Sequence, residues 1–259
     1  MSMIPGVVAV NTFREAVRDR VLYNLIFFAL LMMAAAVLVG GVSIGIERDV
    51  IVNLGLSAIS LFGIVMAIFI GVGLVHKEIE KRTLYSLLAK PVQRWQFLVG
   101  KFAGLLLTLV VNTALMTVGL AAALFYVTRK FEGSDGTIAV AIYFILLEFA
   151  IITALALFFS CFSSPLLSTL FTLGIYVAGV FAPDIRDIGI VTSSSAVKAV
   201  AEGVYYILPN FHNFNLISAA AHKEAVPFSL VWQNTAYAAL YVAVILIGAS
   251  AVFSGRDLR

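Results

Sequence analysis

From Val21 to Val42 the chain carries no charged side chain, and five more long apolar runs follow before residue 253. Such runs constrain a fold more than any motif. A backbone that crosses lipid must satisfy its own hydrogen bonds, so only helices and closed barrels can do it. Barrel strands need about 9–11 residues and spanning helices about 20. The runs cover 21–42, 53–75, 99–127, 138–160, 166–182 and 234–253, which are helix lengths. Composition agrees: 62% of the residues are hydrophobic and 12% charged, against about 45–50% and 25% in a soluble domain. A soluble globular fold and a disordered chain are both excluded. The expected fold is an all-α membrane protein, one transmembrane domain over 1–259 with six transmembrane helices. The first run lacks a small-residue cleavage site ahead of it and is read as a retained span.

Six spans put both termini on one side. Arg14, Arg18, Arg20, Lys77, Lys81, Arg82, Lys90, Arg94, Lys101, Arg256 and Arg259 fall on that side, whereas Arg48, Arg129, Lys130, Arg186, Lys198 and Lys223 fall opposite. The excess of basic residues makes the side of the termini cytoplasmic. The fifth run begins with a capping serine, Ser164, and with Pro165 at the first helical position. Pro183 is expected to stop it.

Three segments lie between or before the spans. In Ile4–Arg20, Val7, Val10, Phe13, Val17 and Val21 recur every three or four residues, with Asn11, Arg14, Glu15, Arg18 and Asp19 on the other face. That pattern reads as an amphipathic helix in the cytoplasmic interface, with a solvated lead-in to the first span as the alternative. The outer segment 183–233 holds a start signal at Ser193-Ser194-Ser195. Val197, Val200, Val204, Ile207 and Leu208 then follow at helical spacing up to Pro209. It is read as a re-entrant or amphipathic element before the sixth span, either lining an exit or lidding the bundle.

Familiar chemistry is missing. The single Gly-Lys pair, Gly100-Lys101, is followed by Phe102, and Trp95 stands where a P-loop needs its first glycine. Cys161 is the one cysteine, so neither an intramolecular disulfide nor a cysteine cluster can form. His76, His212 and His222 are scattered outside the spans, so no metal site is expected. Gly41-Val42-Ser43-Ile44-Gly45 fits G-x-S-x-G, but that motif needs a strand-turn-helix and a facing histidine. The low net charge of +3 is scattered and does not point to nucleic acid. Glu148 is the one ionisable residue well inside a span. Such residues are functional candidates by default; the simpler alternative is a carboxyl that packs helices by hydrogen bonding. Gly100-x-x-x-Gly104 reads as a close helix contact, and Asn112 and Thr113 as interhelical hydrogen-bonding groups.

The loop from His76 to Lys101 is charged, contains a short helix with Leu84, Leu87 and Leu88 on one face, and breaks at Pro91. Physically it fits a docking element for a cytoplasmic partner and a basic membrane-surface turn equally well. It resembles the permeases of type-2 ATP-binding-cassette transporters. The matching residues are Glu78 and Glu80, Thr83-Leu84, Leu87-Leu88, Lys90-Pro91-Val92-Gln93-Arg94 and Gly100-Lys101. The plan of the chain is closest to the compact permeases that serve nitrous-oxide-reductase maturation. The resemblance implies a half-transporter in a bacterial or archaeal cytoplasmic membrane, embedded in lipid, with both termini cytoplasmic. It implies pairing with a second permease chain, as a homodimer, and with a cytoplasmic ABC ATPase subunit that binds ATP-Mg. This chain itself would bind no cofactor, catalyse nothing and work as an exporter. A cytoplasmic coupling helix between spans two and three would then contact the ATPase through Glu78, Glu80, Lys81, Arg82, Thr83, Leu84 and Leu87, with Pro91 and Arg94 fixing the return of the loop. Glu148 would lie in the substrate path. Two other readings compete: a stand-alone secondary transporter using Glu148, and a membrane anchor or assembly protein.

Overall fold

The computed structural model describes residues 4–43, 45–80, 94–129, 136–191 and 194–255. All regular structure among them is helical: α1 (Ile4–Val17), α2 (Arg20–Val42), α3 (Glu47–Glu80), α4 (Arg94–Thr128), α5 (Gly136–Ser160), α6 (Pro165–Val180), α7 (Ala182–Val191), α8 (Ser195–Ile207), a 3-10 turn at Phe211–Phe214, α9 (Ile217–Ala221) and α10 (Phe228–Gly255). Five helices (α2, α3, α4, α5 and α10) are long and apolar enough to cross a membrane. A sixth crossing exists only if α6 and α7, bent by 57° at Phe181, count as one broken span.

The apolar runs understate the helices. α3 begins at Glu47, not Asn53, and runs to Glu80; α10 begins at Phe228, not Asn234. Hydropathy marks the lipid-facing stretch, but Glu, Lys and Arg are good helix formers and extend the helix into the water. Glu47 and Asp49 also sit in the first turn of α3, where acidic groups complement the helix dipole.

The fifth run departs most from expectation. Ser164 does cap α6, accepting from the Leu167 N–H at 3.5 Å, and Pro165 opens the helix. Pro183 does not stop it. α6 has ended at Val180, and Pro183 sits in the first turn of α7. A proline is tolerated there because first-turn N–H groups have no partner in the helix. Downstream, α8 begins at Ser195 and closes at Leu208 ahead of Pro209, as the spacing predicts, although the Ser194 side chain makes no capping bond.

Burial orders the bundle. The spanning part of α3 is 67% buried and that of α5 61%, against 22% for α2 and for α10. α3 and α5 are therefore the central pair, and α2 and α10 present apolar faces to lipid. The central pair meets at Gly63, where a side chain would start 1.9 Å from the Phe149 ring. The ring fills the space that glycine vacates, and close packing of this kind is what holds helices together in lipid. Gly41–Gly45 is a helix end and not a nucleophile elbow. Ser43 Oγ donates to the Val39 carbonyl at 3.0 Å, and Gly45 adopts a φ of 87° that favours glycine.

Candidate functional site

Glu148 stands midway along α5 and is 7% exposed. Its depth follows from the position of α5: Glu148 lies on the covered side of a central helix, with Phe144, Ile145, Phe149, Ile151 and Ile152. Glu148 and Tyr176, the latter on α6, line a recess of about 80 Å³ that also takes Ser60 from α3 and His212 and Asn215 from the outer segment. Phe211 and Phe214 form the apolar wall on that side.

The outer segment reaches so deep because α6 offers it a gap. At Gly179 a Cβ would stand 2.2 Å from the Pro209 carbonyl oxygen and 2.7 Å from the Phe211 ring. Only glycine permits that approach. Phe211 then stacks on Tyr176 at 5.2 Å between ring centroids, and Phe214 lies 6.3 Å from Phe144. Side chains from the bundle tie down the backbone of the segment. The Asn210 N–H donates to Tyr237 Oη at 3.0 Å, Tyr241 Oη donates to the Ile207 carbonyl, and Arg48 Nη1 donates to the Ala221 carbonyl at 3.0 Å. The segment is thus a lid over the outer mouth.

At the opposite end of the bundle, Glu78 and Glu80 lie in the last turn of α3, and Arg94 is the first residue of α4. Lys81, Arg82, Thr83, Leu84, Leu87 and Pro91 lie outside the described residues, as does the basic tail, Arg256–Arg259. The two ends of the loop are therefore continuous with helices of 34 and 35 residues.

α1 seats beside them. The Gly100-x-x-x-Gly104 stripe contacts not another span but this helix: a Cβ at Gly100 would stand 2.7 Å from Val8 Cβ, and one at Gly104 2.5 Å from the Ala9 carbonyl oxygen. The buried face of α1 is the small stripe Val8, Thr12 and Ala16, whereas Val7 and Val10 are exposed. The valine stripe faces outward, where an interfacial helix meets lipid. Lys101, only 2% exposed, reaches over Phe97 at 5.8 Å from the ring centroid. Asn112 Nδ2 reaches only Met66 Sδ, at 3.8 Å, and Thr113 is buried.

Sequence reasoning singled out Glu148 but missed its companions. Ser60 and Tyr176 look like ordinary polar residues of apolar helices, and His212 reads as a scattered surface histidine. No spacing links residues 60, 148, 176, 212 and 215; only the packing does. Among the described residues, no group of three or more His, Cys, Asp or Glu is placed to hold a metal ion.

The helices and their burial define an integral membrane protein of several spans. The sequence matches the family model described as ABC-2 family transporter protein over residues 7–258, so the chain belongs to that family and is a transmembrane subunit of an ABC transporter. A comparison with curated proteins finds no match.

Proposed function

We propose that the chain is the permease half of an ATP-driven exporter, paired with a second permease chain and driven by separate ATPase subunits on its cytoplasmic side. The observation that carries this reading is the continuity of α3. From Glu80 beside the loop to Ser60 in the recess it is one unbroken helix, about 30 Å long at a rise of about 1.5 Å per residue. A displacement of the loop moves α3 as a lever, and α3 lines the recess. ATP binding in the partner would thereby bias the bundle between inward- and outward-open arrangements. α1, seated on the first turns of α4, makes the same end of the bundle rigid.

In this reading Glu78, Glu80, Lys81, Arg82, Thr83, Leu84 and Leu87 contact the ATPase, and Pro91 and Arg94 set the return into α4. Glu148 lies on the substrate path. The basic residues around the loop favour cytoplasmic termini, in a bacterial or archaeal cell membrane, and the plan of the chain favours kinship with the nitrous-oxide-reductase maturation permeases. The spans carry little charge, which favours an apolar or amphipathic substrate.

Co-purification tests the reading. The tagged wild-type chain should retain a P-loop ATPase at one-to-one stoichiometry, and Glu80→Ala combined with Arg82→Ala should lose it while the permease still inserts into the membrane. Full retention by the double variant would overturn the assignment of the loop. A wild-type chain that purifies without any ATPase would overturn the permease reading itself.

A further inference from the structure

We propose that the recess beneath the outer lid is a binding site for a small ammonium cation, with the Glu148 carboxylate as its counter-charge. The chemistry of the lining selects the ligand. One carboxylate, Glu148, lines it, and among the described residues no lysine or arginine does. The Tyr176 and Ser60 hydroxyls and the Asn215 side chain add neutral oxygens. The remaining wall is apolar, aromatic at Tyr176, Phe211 and Phe214 and aliphatic at Ile145, Val180 and Ile217, with Tyr176 and Phe211 tilted at 53° to one another. A carboxylate beside π faces suits a weakly hydrated organic cation. The ring quadrupoles attract the charge, and the carboxylate and hydroxyl oxygens accept its N–H bonds. A transition metal asks for three or four nitrogen, sulfur or carboxylate ligands, and this recess has only Glu148 and His212 to give.

Size narrows the class. The recess measures about 80 Å³, and a buried water needs about 10–15 Å³ on the same measure. That is room for an ammonium nitrogen with a few attached carbons, not for a drug-sized solute. Access comes from the outer side, where His212 and Asn215 are exposed. The ligand is therefore either a free alkylammonium ion or the amine of a lipid headgroup; both present the same group. Binding at this site needs no ATPase, so it stands apart from the coupling mechanism proposed above.

The test uses the purified full chain in nanodiscs and follows thermal unfolding against methylammonium chloride, with sodium chloride at equal ionic strength as the control. In phosphatidylcholine discs the wild type should show a saturable rise in melting temperature with methylammonium and none with sodium. Glu148→Gln should abolish the rise. If that variant does not fold, Ser60→Leu, which fills the recess, should abolish it instead. In phosphatidylethanolamine discs an unchanged response identifies a free cation as the ligand, and a suppressed one identifies the lipid amine. No methylammonium-specific rise in phosphatidylcholine discs, an equal rise with sodium, or a rise that survives either substitution overturns the proposal. A negative result here leaves the ATPase co-purification untouched, so the two readings fail separately.

Discussion

The two ends of the bundle are closed by different physics. At one end α1 is held by close packing. Val8 and Thr12 pack on Gly100 and Gly104, beside an apolar cluster of Val8, Phe97, Leu98, Cys161, Ala249 and Phe253. At the outer end the lid is held by side chains that grip backbone groups: Tyr237 on the Asn210 N–H, Tyr241 on the Ile207 carbonyl, Arg48 on the Ala221 carbonyl. Close-packed contacts have one good arrangement and resist partial displacement. The Tyr241 bond is exposed and can be exchanged for a bond to water with little net change, whereas the Asn210 N–H is buried. On the proposed reading, the end that carries α1 transmits a displacement and the lid end yields to one.

The difference is broken most strongly by adding atoms where shape alone holds the structure. Gly104→Leu puts a side chain where a Cβ already lies 2.5 Å from the Ala9 carbonyl oxygen and 2.6 Å from Thr12 Cβ. A backbone atom cannot rotate away, so α1 must leave its seat. The expected loss is about 3 kcal/mol, at the upper end for overpacking. It is measured as unfolding in detergent, with faster tryptic cleavage after Arg14 and Arg18. Unchanged stability and cleavage would mean that α1 is not held by this groove.

At the outer end the corresponding test removes a partner. Tyr237→Phe keeps the ring against Phe214 and Tyr241 but leaves the buried Asn210 N–H without its acceptor. An unsatisfied buried group costs about 1–2 kcal/mol. The expected signature is local: amide exchange quickens across 207–217 while protection in α3 and α5 stays as it was. Exchange that quickens equally in the central pair would show that lid and bundle unfold as one unit, and the contrast between the ends would fall.

These positions also show how far the sequence could be read. The spans were legible because lipid imposes a one-dimensional signal, a run of apolar residues, on each helix separately. Helix ends were less so, since Glu47 and Lys77 continue a helix that hydropathy has already left. Pro183 misled because a proline that ends one helix and a proline that begins the next look the same in one dimension. The glycine stripe at 100 and 104 was recognised as a contact, but its partner was not, because small residues announce closeness without naming a neighbour. The recess was illegible except for Glu148: its other polar groups come from α3, α6 and the lid, and their convergence is a property of packing.

The smallest effect expected is a gain. Thr12 is 1% exposed, and its Oγ1 is buried without a hydrogen-bond partner among the described residues, while its methyl group packs on Gly104. Valine has nearly the same shape, so Thr12→Val keeps the fit in the groove and removes the cost of a desolvated hydroxyl. A buried polar group with no partner is worth about 1–3 kcal/mol of destabilisation. Both side chains are β-branched, so helix propensity changes little between them. A net stabilisation of about 1 kcal/mol should appear as a higher unfolding midpoint with an unchanged denaturant dependence. The sign decides the matter. If Thr12→Val destabilises, the hydroxyl is doing polar work in the native assembly, and the cytoplasmic end is held by hydrogen bonding as the outer end is. If it stabilises, the seat of α1 is a contact of shape, and the lever of the proposed mechanism is stiff at the end where α1 sits.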